Sequence, residues 1–71
     1  MRYTVVIEQG PTSFGAYVPD LPGCIAAAEC RSDVVALTRE AIEFHLETMR
    51  DEGIAVPEPH STAETVEVAV A

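Results

Sequence analysis

The stretch Pro19-Asp20-Leu21-Pro22-Gly23-Cys24 decides how the rest of this chain is interpreted, because it restricts the backbone at several consecutive positions. Each proline holds its own φ at about −65° and favours extended geometry for the residue before it, Val18 or Leu21. Gly23 supplies a position that has no Cβ to clash. The stretch therefore predicts a stiff turn that sets the register of the strands on either side.

Short alternating segments surround this turn. Tyr3, Val5 and Ile7 share one face of the first segment, which has the period of a half-buried strand. Pro19 ends the second segment, because it cannot donate to a ladder. The third is short and apolar and lies close enough to pair with the second in a meander. These patterns predict strands over residues 2–8, 14–18 and 24–29.

A helix is predicted after the third strand. It begins at Cys30 or Ser32, and Asp33 suits the positive end of the helix dipole. It runs to about Glu52, where Gly53 can take the left-handed conformation that ends a helix. Two prolines beyond that point, Pro57 and Pro59, prevent it from resuming.

The predicted helix has one apolar face and one acidic face. The residues expected to pack on the sheet are Val34, Thr38, Ala41, Ile42, His45 and Met49, flanked by Val35, Leu46, Leu37 and Phe44. The opposite face carries Asp33, Glu40, Glu43, Glu47 and Asp51, with Arg39 and Arg50 at its margin. Such a stripe is either the solvated back of a helix or a surface for a partner, and both interpretations stay open.

Residues 65–71 alternate again, with Val66, Val68 and Val70 on one side, and predict a fourth strand. The expected fold is a single α+β domain over residues 1–71 with the order β-β-β-α-β. A right-handed crossover would place strand four parallel to strand one. This gives one four-stranded mixed sheet of order 3-2-1-4, covered on one face by the helix.

The charge favours a protein partner over nucleic acid. The formal net charge is −8, from twelve Asp and Glu against four Lys and Arg, and all four basic residues are arginines. Such a surface repels a phosphate backbone, so we expect no direct DNA binding. It complements a basic protein, although acidity also serves solubility alone. The N-terminus lacks the layout of a secretion signal and no apolar run could span a bilayer, which predicts a cytoplasmic protein.

Catalytic and metal chemistry find little support. Cys24 and Cys30 should be free thiols, and neither His45 nor His60 stands in a motif that would make it a general base. The spacing of these four residues matches no zinc finger or knuckle. We therefore expect no enzyme, no cofactor and no metal. A chain of 71 residues builds a small core, which predicts self-association as a dimer or tetramer.

Taken together, these motifs resemble the HicB-like antitoxin family. The segments that carry the resemblance are the Tyr3-x-Val5-x-Ile7-Glu8 strand, the Phe14 to Val18 strand, Pro19 to Cys24, Arg39-Glu40-Ala41-Ile42, and Gly53-x-x-Val56-Pro57-x-Pro59. The resemblance implies a partial ribonuclease H-like fold without an active site. It also implies a partner, a small basic mRNA-cleaving ribonuclease toxin of the HicA type, whose RNA-binding and active surface the antitoxin covers.

Carried onto this chain, the resemblance implies that Pro19, Asp20, Leu21, Pro22, Gly23 and Cys24 shape one end of the sheet and offer a partner-binding motif. The acidic partner surface would be Glu40, Glu43, Glu47 and Asp51. Relatives commonly have a C-terminal DNA-binding segment, which is not seen here, and Gly-Asp-Thr where this chain has Ala28-Glu29-Cys30. The alternative is a solitary homo-oligomeric domain with a structural or small-ligand role, using a groove between the helix and the Pro-Gly connector.

Overall fold

Three strands precede one long helix in the computed structural model, which describes residues 1–70. The elements are β1 (Val6–Gln9), β2 (Phe14–Tyr17), β3 (Ile25–Ala28) and α1 (Arg31–Asp51). The sheet has the order β1-β2-β3, and both neighbouring pairs are antiparallel. The predicted α+β meander followed by a helix is confirmed.

The predicted fourth strand is wrong. Residues 65–70 form no strand, and Ala71, the last residue of that prediction, lies outside the described residues. The sheet that the described residues form is therefore three-stranded and antiparallel, not four-stranded and mixed. The physical reason is that no part of residues 1–70 covers the valine face: residues 62–70 are all exposed, and the chain reaches them through residues 57–61, where no ladder forms. Side-chain hydrogen bonds, described below, fix the chain there instead.

The strands are shorter than the alternation suggested. Cross-strand pairing begins at Val6 opposite Tyr17 and ends at Gln9 opposite Phe14, so residues 2–5 lie outside the ladder. Cys24 precedes β3, because its backbone N–H and carbonyl are both used within the turn. Alternation along a sequence reports which face a side chain takes. It does not report how far a partner strand extends.

The Pro19 to Cys24 stretch forms two consecutive β-turns. The Leu21 N–H donates to the Val18 carbonyl at 3.0 Å, and the Cys24 N–H donates to the Leu21 carbonyl at 3.0 Å. A proline occupies the second position of each turn, which its fixed φ favours. Gly23 has φ +84° at the third position of the second turn, where a type II turn requires a positive φ. The Val18 N–H then donates to the Cys24 carbonyl at 3.2 Å and closes the loop.

The turn directs its apolar side chains into the core. Val18, Leu21 and Cys24 are buried together, and Val34 and Thr38 of the helix are buried as well. The partly buried residues that pack against the turn cluster are Tyr3, Val5, Ala41, Ile42 and Leu46. The connector is therefore a core element of the domain as well as a link between strands.

Both helix ends can be explained from local chemistry. Cys30, one of the two predicted starting positions, is the N-cap, and its side chain makes no capping hydrogen bond. At the C-terminus the Gly53 N–H donates to the Arg50 carbonyl and the Ile54 N–H to the Met49 carbonyl. This is a Schellman motif, with Gly53 at φ +71°.

The predicted inward face of the helix is confirmed, but three of the four residues expected to flank it are exposed. Val34 and Thr38 are buried, and Ala41, Ile42, His45 and Met49 are partly buried. The Thr38 hydroxyl donates to the Val34 carbonyl at 2.7 Å, which satisfies a buried polar group. Of the flanking residues, Leu46 is partly buried, whereas Val35, Leu37 and Phe44 are 44%, 43% and 72% exposed. The sheet is only three strands wide, and the described residues provide nothing that covers Phe44.

A glycine substitution tests the second turn. Gly23→Ala should lower the free energy of unfolding by about 1–2 kcal/mol, because alanine resists a positive φ. No atom would crowd the new Cβ, so the cost comes from the backbone. Gly15→Ala is the matched control, because Gly15 lies within β2 and has equally open surroundings. Urea unfolding followed by circular dichroism measures both variants, and equal stability of the two would contradict the turn assignment.

A second substitution tests the contribution of the connector to the core. Leu21→Ala should destabilise the domain by about 2–5 kcal/mol, as expected for a fully buried leucine. Leu37→Ala, at an exposed position on the helix, is the control and should cost far less. Thermal or urea unfolding gives the comparison. A small loss for Leu21→Ala, similar to that of the control, would show that the connector is peripheral.

Candidate functional site

The Asp20 carboxylate is the most highly connected polar group in the described residues. Its Oδ2 accepts hydrogen bonds from the backbone N–H groups of His60 and Ser61, each at 2.9 Å. Its Oδ1 accepts from the Ser61 hydroxyl at 2.6 Å and lies 3.2 Å from Nε2 of His60. The residue is only 4% exposed. A buried carboxylate must be paired, and here a segment some forty residues away supplies the partners.

These contacts stabilise the charged form of Asp20. The Ser61 hydroxyl and the Ser61 N–H contribute most, the His60 N–H and the His60 ring add less, and burial opposes them. The result is a pKa lowered from 3.8 to about 2. The carboxylate is therefore ionised at neutral pH and holds residues 60–61 against the connector.

Two further side chains attach the same segment to the N-terminal residues. The Tyr3 hydroxyl donates to the Pro57 carbonyl at 2.5 Å, and the Thr4 hydroxyl donates to the Ser61 carbonyl at 2.6 Å. Burial, followed by the nearby Glu58 and Asp20 charges, raises the pKa of Tyr3, so this hydroxyl stays protonated and able to donate. We call residues 57–61 the latch segment, because side-chain hydrogen bonds from Tyr3, Thr4 and Asp20 hold it in place of a strand ladder.

The six residues of the motif divide into two groups. Asp20, Leu21 and Cys24 are buried, whereas Pro19, Pro22 and Gly23 are exposed. Burial restricts any direct contact with a partner to the exposed group. Partner binding by this motif stays a prediction, and the buried group has a structural role that the contacts above explain.

The proposed acidic surface lies on one side of the helix. Glu40, Glu43, Glu47 and Asp51 are all exposed. Their spacing of three or four residues puts them in a row about 16 Å long, since a helix rises about 1.5 Å per residue. Asp33 is exposed in the first turn, where it faces the positive end of the helix. The row offers an extended negative surface without any fold rearrangement.

Among residues 1–70, no hydrogen bond joins a cysteine side chain to a histidine side chain. Cys24 is buried and its burial raises the pKa of the thiol, which opposes formation of the nucleophilic thiolate. His60 is engaged with Asp20, and Cys30 is exposed beside the Ser32 hydroxyl at 3.4 Å. Within residues 1–70, no three His, Cys, Asp or Glu side chains cluster as a metal site would require. No helix among these residues is apolar over enough of its length to cross a membrane.

A cleft of about 620 Å³ lies between the N-terminal residues and the helix. Its lining residues are Met1, Arg2, Tyr3, Val5, Val35, Arg39, Ile42, Glu43 and Leu46. A groove between the helix and the Pro-Gly connector was the expected position, but Leu21 and Cys24 of the connector pack into the core there. The open space is found between the N-terminal residues and the helix, next to Arg2 and Arg39.

Proteins of similar sequence or similar fold identify the family to which this architecture belongs. The family model described as HicB-like antitoxin of bacterial toxin-antitoxin systems matches residues 3–69. The chain belongs to the HicB-like antitoxin family. A solved structure of a HicA3 and HicB3 toxin-antitoxin complex contains a chain similar to this HicB-like domain, with a TM-score of 0.72 and 30% identity. The match covers 84% of this chain and 70% of that one.

Two curated relatives extend the comparison. An uncharacterised 14.9 kDa protein from the rep-hol intergenic region of Haemophilus phage HP1 is 35% identical over 57 residues, or 80% of this chain. The HicB-like chain spans 43% of that phage protein, less than half its length. The UPF0150 protein Ta0767 of Thermoplasma acidophilum is 27% identical over 67 residues, which covers 93% of this chain and 97% of that protein.

Sequence reasoning missed the latch and the arginine-rimmed cleft. His60 and Ser61 carry no motif, and their bonds to Asp20 join positions that are distant in sequence. The one available signal was an acidic residue placed between two prolines in an otherwise apolar connector. Such a residue needs a buried partner, but the sequence does not identify it.

Replacement of Asp20 gives a pH-dependent prediction. The folded-state pKa lies below the ordinary value of 3.8, so this group stabilises the domain above about pH 4 and loses that effect as pH falls towards about 2. Asp20→Asn should be less stable than wild type at neutral pH. The amide group that replaces the carboxylate would bring its own N–H donors towards the donors of His60 and Ser61. The difference should shrink between about pH 4 and pH 2.

Urea unfolding across this pH range measures the effect. Asp51→Asn is the matched control, because Asp51 is exposed in the last turn of the helix. It should follow the wild-type stability curve at every pH. A gap between Asp20→Asn and wild type that stays constant down to about pH 2 would contradict the role of the ionised carboxylate.

Proposed function

We propose that this HicB-like domain acts as an antitoxin that binds and neutralises a small basic mRNA-cleaving toxin of the HicA type. It does so by covering the RNA-binding and active surface of the toxin. The likeness to a chain of a HicA3 and HicB3 complex supports a toxin partner most directly, at 30% identity over 84% of this chain. The match of the family model over residues 3–69 supports the same role.

The acidic helix row is the surface best suited to such a partner. A ribonuclease that binds RNA must present positive charge to the phosphates, and the row of four exposed carboxylates presents the opposite sign. Complementary fields accelerate encounter and disfavour wrong partners. With a net charge of −8, the rest of the surface repels RNA and so excludes it from the neighbourhood of a bound toxin.

Inhibition by this domain requires no catalysis. The Cys24 thiol is buried and the His60 ring pairs with Asp20, so both side chains have structural roles. The exposed prolines of the connector, Pro19 and Pro22, add a rigid apolar edge that costs little conformational entropy when a partner covers it. The antitoxin thus contributes shape and charge, and blocks access to the toxin.

A growth and binding experiment tests the toxin role. The proposal predicts that a small basic toxin is encoded next to this chain. Expression of that toxin alone should arrest growth, and co-expression of this chain should restore growth and yield a complex that weakens as salt rises. Rescue should fail, or the complex Kd should rise by about 10-fold or more, when Glu40, Glu43, Glu47 and Asp51 are all replaced by lysine.

The matched control replaces four exposed carboxylates elsewhere with lysine, namely Glu8, Glu29, Glu58 and Glu64. It makes the same change in net charge but leaves the helix row intact, so it should retain most of the affinity. Equal losses in the two variants would show that only net charge matters. Unchanged toxicity and no co-purification with wild type would contradict the antitoxin role and favour the solitary homo-oligomeric alternative.

A further inference from the structure

The residues after the latch segment expose an apolar pattern that nothing in the described structure covers. We call residues 62–70 the tail; every one of its residues is exposed. Val66, Val68 and Val70 alternate with Glu67 and Ala69 along this segment and are 70%, 71% and 90% exposed. Alternation of this kind is the mark of a strand with one buried side. The tail therefore has the sequence pattern of a half-buried strand, but it pairs with no strand in the described structure.

The cleft between the N-terminal residues and α1 has the complementary chemistry. Its apolar lining comes from Val5, Ile42 and Leu46, together with Tyr3. Arg2 and Arg39 border it and are two of the four basic residues in the chain. Within residues 1–70 neither arginine forms an ion pair. Glu43 also lines the cleft, so its charged lining consists of two arginines and one glutamate. On a chain with a net charge of −8, this net positive lining suits an acidic segment with apolar side chains on one face.

The tail is such a segment. Glu64 and Glu67 are its charged residues, and no basic residue lies between positions 62 and 70. Glu67 stands between Val66 and Val68, so when the valines face the apolar lining the glutamate lies near the rim. Six extended residues span about 20 Å, enough to follow the cleft beside the helix.

The tail does not occupy the cleft of its own domain. All the residues that line the cleft come from the first 46 positions. The latch bonds of Thr4 and Asp20 hold Ser61 where the chain leaves the domain, and the tail continues outward from there. The molecule is accordingly elongated, with extents of 52 × 26 × 16 Å.

We propose that two copies of this chain exchange their tails, so that the tail of one protomer lies in the cleft of the other. Val66, Val68 and Val70 cover the apolar lining, and Glu67 pairs with Arg39 at the rim. A twofold axis makes the arrangement closed, because each protomer supplies one tail and one cleft. The tail and the cleft would then form the interface for the self-association that the small core predicts.

Charge reversal with mixing tests the exchange. Arg39→Glu places a carboxylate opposite Glu67, and Glu67→Arg places a guanidinium opposite Arg39, so each variant alone should raise the dimer Kd by about 10-fold or more. An equimolar mixture of the two variants should recover dimers. Analytical ultracentrifugation at micromolar concentration gives the masses.

The mixture is informative because both interfaces of the mixed dimer regain opposite charges. In one interface the unchanged Glu67 of the Arg39→Glu copy meets the unchanged Arg39 of the Glu67→Arg copy. In the other interface the two substituted side chains meet, and the charges of the pair are simply reversed. Recovery of dimers therefore requires that the tail of one copy reaches the cleft of the other.

Matched controls separate the interface from net charge. Arg50→Glu and Glu47→Arg change the same charges on exposed helix positions outside the cleft, and both should dimerise like wild type. Far-UV circular dichroism should show that all four variants are folded. Val68→Asp is a further variant, which should weaken dimers without being rescued by either partner.

Other occupants of the cleft give different results. Rescue in the double variant but not in the mixture would mean that the tail folds onto its own cleft, and would overturn the exchange. A monomeric wild type, or single variants that stay dimeric, would overturn it as well. If Arg39→Glu abolishes toxin binding and leaves the mass unchanged, the toxin occupies the cleft and the exchange is wrong. Loss of dimers with intact toxin rescue would support it and leave the antitoxin role untouched.

Discussion

The rest of this structure depends on the hydrogen bonds that the buried, ionised Asp20 carboxylate accepts. A carboxylate removed from water is unstable unless hydrogen-bond donors surround it, and here three donors come from His60 and Ser61. The two β-turns around it place Asp20 towards that segment while Leu21 enters the core. One short connector therefore sets the strand register, fills the space under the helix and attaches the C-terminal part of the chain.

This arrangement leaves the acidic helix row exposed on a small domain. The helix uses its apolar face against β2, β3 and the connector, and so its acidic row is left free on the outside. The prolines and the Schellman motif at Gly53 restrict the chain at both ends of the core. A rigid surface of one charge needs little ordering when it binds, which suits an inhibitor that acts by covering another protein.

Local patterns predicted much of the fold, and non-local pairing accounts for what they missed. The meander, the helix and its inward face follow from periodicity, because burial on one side imposes a period of two or about 3.6. The helix end follows from the left-handed preference of glycine at Gly53. The prediction of a fourth strand was wrong because an alternation of valines indicates only that one side of the segment should be buried. Whether that side is buried depends on the path of the chain, which the side-chain bonds of the latch segment set at Ser61.

For the candidate site, the sequence by itself determined the charge of the helix row, the stiff turn of the connector and the family, because residue type, spacing and φ preference are local properties. Tertiary structure alone decided that Asp20, Leu21 and Cys24 are buried and that Pro19, Pro22 and Gly23 are exposed. It also joined Asp20 to Ser61 and gathered Arg2 and Arg39 beside one cleft. Those contacts link residues distant in the chain, and their energy depends on which groups folding removes from water together.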